Sequence, residues 1–289
     1  MCEFCTQHGD GKKWYLQAEN YAVDLSRDLE RREYVVDFVQ GFDSRMKRNV
    51  VLLDAMKAAP APIRSAFRSF AQPRQLRDHY GQPVPIEECE RIFDFATSIV
   101  QLPCVCRHFA GKPEQGYCLA VTVTPIDETL EEAFRGFGDG PDTPTLQRLT
   151  RDEATAVLRR AESEGLMHSV WTFKTPFIAA ICNCNLPSGC MAMKTTLRWG
   201  HKTMWKGEYH ADVDVTACVG CGACVERCPF SAMALDPRDV VVVDQNACYG
   251  CGICRSACGT DAIRLVDRVP AEAVVSETTT GTAEPAVVW

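Results

Sequence analysis

The chain has 289 residues, 17 cysteines and a formal net charge of -7. That balance argues against a nucleic-acid partner, and so many thiols suit a reducing compartment only if most of them hold metal. The opening MCEFCTQHGDGKKWY lacks a signal-peptide apolar region, the pairs Arg31-Arg32 and Arg159-Arg160 sit in helix-like charged stretches, and no apolar run has the length of a membrane span. A cytoplasmic protein without a transmembrane segment is expected.

In chain order, residues 19–40 place Tyr21, Leu25, Leu29, Val35, Val36 and Val39 at helical spacing, with Gly41 as the stop. A second helix is expected over 44–59, turning Met46, Val50, Val51, Leu53 and Met56 inward and ended by Pro60 and Pro62, so that the two form a helical hairpin. Residues 84–100 read as an amphipathic helix with Pro85 near its first turn and Ile86, Cys89, Ile92, Phe93 and Ala96 on one face. Gly136, Gly138 and Gly140 are followed by prolines and open no helix, which excludes a phosphate-binding loop. Thr150 and Glu153 form a capping box for a helix to about Glu164, ended by Gly165. Strands at His168 to Phe173 and Phe177 to Cys182 complete a winged-helix-like element, read as scaffold.

Eight cysteines then fall in two runs of C-x2-C-x2-C-x3-C: Cys218, Cys221, Cys224, Cys228 and Cys248, Cys251, Cys254, Cys258. Three thiolates two residues apart on a tight loop can reach three corners of one iron-sulfur cube, and the fourth corner must come from elsewhere. Zinc ribbons favour two separated C-x2-C pairs instead. Gly220, Gly222, Gly250 and Gly252, between the ligands, are expected to bring backbone N–H groups close to cluster sulfides where larger side chains would obstruct. Short helices are expected at 229–233 and 258–263, followed by strands at Ala234-Leu235 and Arg264 to Val266.

Residues 208–268 resemble the bacterial two-cluster ferredoxin domain. The resemblance implies two 4Fe-4S clusters, one held by Cys218, Cys221, Cys224 and Cys258 and the other by Cys248, Cys251, Cys254 and Cys228. Gly259 stands where the first run has Pro229, a departure that touches the turn after Cys258 but not the ligand count.

Nine cysteines remain. Cys89 lies on the apolar helix face, as a small buried hydrophobe would. Cys2 and Cys5, the triad Cys104, Cys106, Cys118 and the triad Cys182, Cys184, Cys190 supply eight thiols, enough for two further 4Fe-4S clusters. The alternatives are one cluster joining the two C-x-C groups, zinc at Cys2, Cys5 and His8 or in the triads, or reduced structural thiols. The C-x-C-R-H segment at Cys104 to His108, the Gly165-Leu166-Met167-His168 stretch and Cys182-Asn183-Cys184 ahead of a ferredoxin domain resemble larger 4Fe-4S dicluster proteins of anaerobic metabolism. Arg107 and His108 either lend hydrogen bonds or charge to a nearby cluster or are ordinary surface residues. His79, His168, His201 and His210 lack paired ligand spacing and are expected to be structural. Lys194, Arg198, His201, Lys202 and Lys206 form a basic group, either a solvated face and cluster counter-charge or a binding patch.

The expected fold class is α+β: a largely helical N-terminal region over 1–207 with the winged-helix-like strand pair and an additional metal or Fe-S site, a dicluster ferredoxin domain over 208–268, and a flexible tail over 269–289. No dinucleotide fingerprint, Walker lysine or serine–histidine–acid context is present, so no catalytic residue is assigned. The resemblance implies an electron-transfer iron-sulfur protein or subunit, relaying low-potential electrons between redox protein partners in a larger oxidoreductase complex. A reductase with an open-site cluster in the N-terminal region and an Fe-S redox sensor are the alternatives.

Overall fold

The computed structural model describes residues 13–22, 28–112, 116–137 and 146–268. Cys2, Cys5, His8, Leu25, Gly138, Gly140 and the tail over 269–289 lie outside these residues.

Two short 3-10 turns, Trp14–Leu16 and Ala18–Tyr21, precede three successive helices: α1 (Leu29–Gln40), α2 (Phe42–Ala58) and α3 (Ala61–Asp78). Gly41 ends α1, but its carbonyl accepts from Arg45 N at 3.0 Å and so also starts α2. Helix α2 ends at Ala58, just before Pro60 and Pro62 as expected, but the prolines also begin a further helix. Pro60 is an extended N-cap and Pro62 lies in the first turn, where a missing N–H costs nothing, so they open α3. The expected hairpin is therefore a three-helix run. The inward face of α2 is also narrower than its composition suggests, with Leu53 buried and Val51 71% exposed.

The helix expected over 84–100 is α4 (Ile86–Phe95), and Ile99 and Val100 belong instead to strand β2 (Ser98–Leu102). The chain leaves the helix at Ala96, and Thr97 N donates to Thr122 O at 3.1 Å, which delivers the β-branched pair into a sheet. Strands β1 (Gly81–Pro83), β3 (Cys118–Thr122), β4 (Gln147–Arg148), β5 (Met167–Thr172) and β6 (Ile178–Cys184) complete it in the order β1-β5-β6-β3-β2-β4, with antiparallel neighbours throughout. The pair β5–β6 is thus interior to a six-stranded sheet and not a projecting wing, because both its edges find further partners.

Side chains alternate across a strand, so each face of this sheet has its own composition. Ile99, Leu119, Val121, Val170, Ile178 and Ile181 pack against Cys89, Ile92 and Phe93 of α4 and against Ala154 and Leu158 of α7 (Arg151–Ser163). The Thr150–Glu153 capping box that opens α7 is present with both reciprocal hydrogen bonds. The other face presents Leu102, Cys118, Ala120, Ala180, Cys182 and Cys184 to a chamber roofed by α1, α2, α3 and two shorter helices, α5 (Val105–Phe109) and α6 (Asp127–Ala133). Helix α8 (Met191–Trp199) closes one end.

Residues 209–267 form two hairpins, β7 (Tyr209–Val213) with β10 (Ile263–Asp267) and β8 (Met233–Leu235) with β9 (Val241–Val243). The expected helices after each cysteine run are absent. Ser231 and Asp261 take φ of 52° and 53°, which no helix continues through, and the one short helix, α9 (Ala223–Arg227), lies inside the first run. The halves repeat closely: Asp214 O accepts from Cys218 N and Asp244 O from Cys248 N, while Asp214 N donates to Ala262 O and Asp244 N to Ala232 O.

A buried polar seam joins these hairpins to the sheet. Gln82 accepts from the Trp14 indole and donates to Glu208 at 3.0 Å; Glu88 accepts from the Tyr209 hydroxyl and pairs with Lys13 at 3.2 Å and Arg91 at 3.3 Å. Among the described residues no helix is long and apolar enough to cross a membrane.

Cys89 is fully buried among Ile92, Phe93 and Leu158. Cys89→Ala should cost about 1 kcal/mol in denaturant unfolding and leave metal content unchanged; iron loss in that variant would contradict its structural role. His79 stacks on Trp171 at 5.0 Å and hydrogen-bonds Thr172 O, and burial holds its pKa down at about 4. A histidine kept neutral by the fold contributes stability that is complete above its ordinary pKa near 6.5 and is lost as pH falls toward 4, by up to about 3 kcal/mol. Unfolding midpoints at pH 7 and pH 4.5 should therefore differ less in His79→Phe than in the native chain.

Candidate iron-sulfur centres

In the C-terminal hairpins, the eight cysteines gather into two sets of four. Cys218, Cys221, Cys224 and Cys258 line one small cavity, and Cys228, Cys248, Cys251 and Cys254 line another. Each cavity therefore takes its fourth cysteine from the other run. The pseudo-symmetric repeat explains this geometrically, since the last cysteine of each run begins the turn into the partner half's core, which both halves share. Ala232 N lies 3.4 Å from Cys228 Sγ, a polar contact of the kind that favours a thiolate.

Two of the glycines between these cysteines also have a steric role behind the loop. Gly220 and Gly250 take φ of +67° and +72°, and a Cβ would fall 2.1 Å from Asp239 O and 2.0 Å from Tyr209 O. The obstruction lies in backbone crossing behind the loop, so the glycines let each loop pass its neighbouring hairpin.

The two sets differ in exposure. Cys221 is exposed, and Val215 and Val219 beside it are 61% and 69% exposed. Cys248, Cys251 and Cys254 are buried, and burial pushes the Cys254 thiol up to about 12 and Cys251 well above its ordinary value. Phe230 and Tyr249 stack at 4.1 Å and 10°, and with Cys251 and Ile253 they share one continuous core with Met193, Met204, Cys184 and Cys190.

The N-terminal region brings a second group together. Cys104, Cys106, Cys118, Cys182, Cys184 and Cys190 all line the chamber, whose volume is about 690 Å³. Cys104 caps α5 and Cys106 lies within it, Cys118 opens β3, Cys182 and Cys184 share one face of β6, and Cys190 caps α8. The fold re-sorts the triads read from the sequence. Cys118 contacts Cys182 at 3.9 Å across the β3–β6 pairing and also pairs with Cys104, whereas Cys184 pairs with Cys190. The Cys104 thiol is pushed up by its bond with Cys118 and by burial, and Cys106 by burial. Cys190 is pulled down, first by the hydrogen bond from Cys184 and then by the backbone N–H groups of Met193 and Ala192 and the charge of Arg107.

Arg107 is buried beside these thiols, its guanidinium 5.1 Å from the Tyr117 ring, and its Nε and Nη2 have no hydrogen-bond partner. His108 packs instead on Phe137 at 4.7 Å. The other histidines stay outside the cysteine group. His79 and His201 line the chamber, His201 beside Phe67, and burial lowers the pKa of His201 and of His210. Within the basic group, Arg198 lies over Trp199 and Lys202 over Trp205.

His168 and Asn183 are positioning residues that spacing alone did not reveal. They pair across β5–β6 with Nδ1 and Oδ1 2.6 Å apart, and Asn183 Nδ2 donates to Tyr117 O, the residue before Cys118. The visible signal was their place inside the G-L-M-H and C-N-C stretches.

Residues 217–262 match the family model of the 4Fe-4S dicluster domain. No curated protein matches the chain. The match covers the two cysteine runs, and iron-sulfur electron transfer is the activity it indicates for that segment.

Proposed function

We propose that this chain is an iron-sulfur electron-transfer protein whose C-terminal hairpins hold two 4Fe-4S clusters, the outer one presented to a redox partner and the inner one turned toward the chain's own N-terminal region. The observation that carries this reading is the sorting of eight thiols into two sets of four, one including the exposed Cys221 and the other the buried Cys248, Cys251 and Cys254. When bound, such clusters supply reversible one-electron storage.

The donor sets suit that cofactor. Each offers four thiols around a common cavity, and the loops carrying them are held by the paired Asp214 and Asp244 turns. The ligands assigned are Cys218, Cys221, Cys224 and Cys258 for the outer cluster, and Cys248, Cys251, Cys254 and Cys228 for the inner. Val215, Val219 and the exposed Cys221 loop form the face on which a partner would approach. The stacked Phe230 and Tyr249 exclude water on the inner side, where a lower local dielectric and fewer waters tune the potential away from that of the outer set.

Cross-ligation has a direct test in anaerobically purified protein. Cys258→Ser should perturb the same EPR signal as Cys221→Ser, and Cys228→Ser the same signal as Cys251→Ser; pairing by run instead would reject the assignment. Val219→Glu should slow reduction by a ferredoxin-type protein donor about tenfold, through docking, while reduction by dithionite is unchanged. Equal slowing with both reductants would place the effect in the cluster and not at the docking face.

A further inference from the structure

We infer that Cys104, Cys106, Cys118, Cys182, Cys184 and Cys190 together hold a third iron-sulfur centre, with Arg107 as its buried counter-charge, in electronic contact with the inner ferredoxin set. The metal site stands on the N-terminal geometry alone; the electron supply rests on the proposed function.

Three observations converge. The first is the chemistry of the donor set: six thiols on four separate elements, α5, β3, β6 and the cap of α8, meet at one chamber. A packing role needs no such convergence, and unligated thiols this close would form disulfides on oxidation. The second is Arg107. A guanidinium with two unpartnered N–H-bearing nitrogens is costly to bury unless an anion answers it. Among the described residues the one carboxylate lining the chamber is Asp78, which is engaged with Arg77 and Lys174; Arg107 itself lies beside Tyr117, outside the chamber lining. A centre carrying four thiolates is an anion of the right kind, and the charge of Arg107 reaches both Cys104 and Cys190, one from each chain triad.

The third is continuity with the ferredoxin cysteines. The shared core of Cys251, Ile253, Phe230 and Tyr249 with Met193, Met204, Cys184 and Cys190 joins the inner ferredoxin set to this centre through packed side chains. Along it one electron passes at a time, the inner cluster being oxidised as the third centre is reduced, and no covalent bond is made or broken.

The experiment is metal and sulfide analysis of the full-length, anaerobically reconstituted chain, with EPR-monitored redox titration. The expected content is about twelve irons or more per chain, falling to about eight in the Cys118→Ser/Cys184→Ser variant, whose ferredoxin signals persist. Native protein with only about eight irons, zinc in place of the additional iron, or iron unchanged in the variant would overturn the inference. Should that variant fold poorly, Arg107→Leu keeps every sulfur: the third centre's potential should shift negative, Arg107→Lys should restore most of the shift, and the ferredoxin potentials should stay put. A potential indifferent to residue 107 would remove Arg107 from the proposal. In Cys221→Ser/Cys251→Ser protein, iron that remains and is then lost on adding Cys118→Ser supports the third centre even if the ferredoxin assignment fails.

Discussion

Asn183 is the hinge of the N-terminal architecture. Its amide joins β5, through His168, to the residue preceding β3, and so fixes the register of three neighbouring strands at one end of the sheet. A slip of one residue in β6 would turn Cys182 and Cys184 into the Ile92 and Leu158 core and turn Asn183 into the chamber. Both exchanges are unfavourable, since a buried amide without partners and a thiol pair in an aliphatic core each lose what the native register supplies. The placing of Cys118, Cys182 and Cys184 on one face is thus a result of strand pleat, held in register by one buried amide.

Legibility followed locality. The ferredoxin runs could be read because their ligands are a few residues apart and because a cube restricts spacing severely. The Thr150–Glu153 cap was legible for the same reason, as two reciprocal hydrogen bonds within one turn. The sheet was hidden because its pairings are long-range: β1 meets β5 from 86 residues away, and a three-residue strand such as Gly81–Pro83 has no period to read. Pro60 and Pro62 marked the end of one helix correctly but did not announce the next, because proline both ends helices and starts them. That Cys182 joins Cys104 and Cys118 was equally invisible, since it depends on β3 lying beside β6.

The seam between the hairpins and the sheet is polar and buried. Glu208 and Glu88 are buried carboxylates on opposite sides of it, answered by Gln82, Lys13 and Tyr209. Such contacts are directional and cost stability when mismatched, so they set the orientation of the two parts more than the strength of their adhesion. Gly207 marks how near the parts come, for a Cβ there would stand 2.6 Å from Pro83 O. Orientation is what a distance-dependent process such as electron transfer requires.

The stacked Phe230 and Tyr249, described above as a water-excluding wall, also impose an order on maturation. Iron and sulfide arrive from outside the chain, and the outer cavity stays reachable beside the exposed Cys221 at every stage. The inner cavity is covered once Tyr249 and Ile253 settle against Met204 and Met193. On the proposed two-cluster assignment, the inner set would be loaded before the seam closes, and later loading would need the seam to reopen. The polar character of that seam, which hydrates readily when parted, keeps this reopening within reach during assembly.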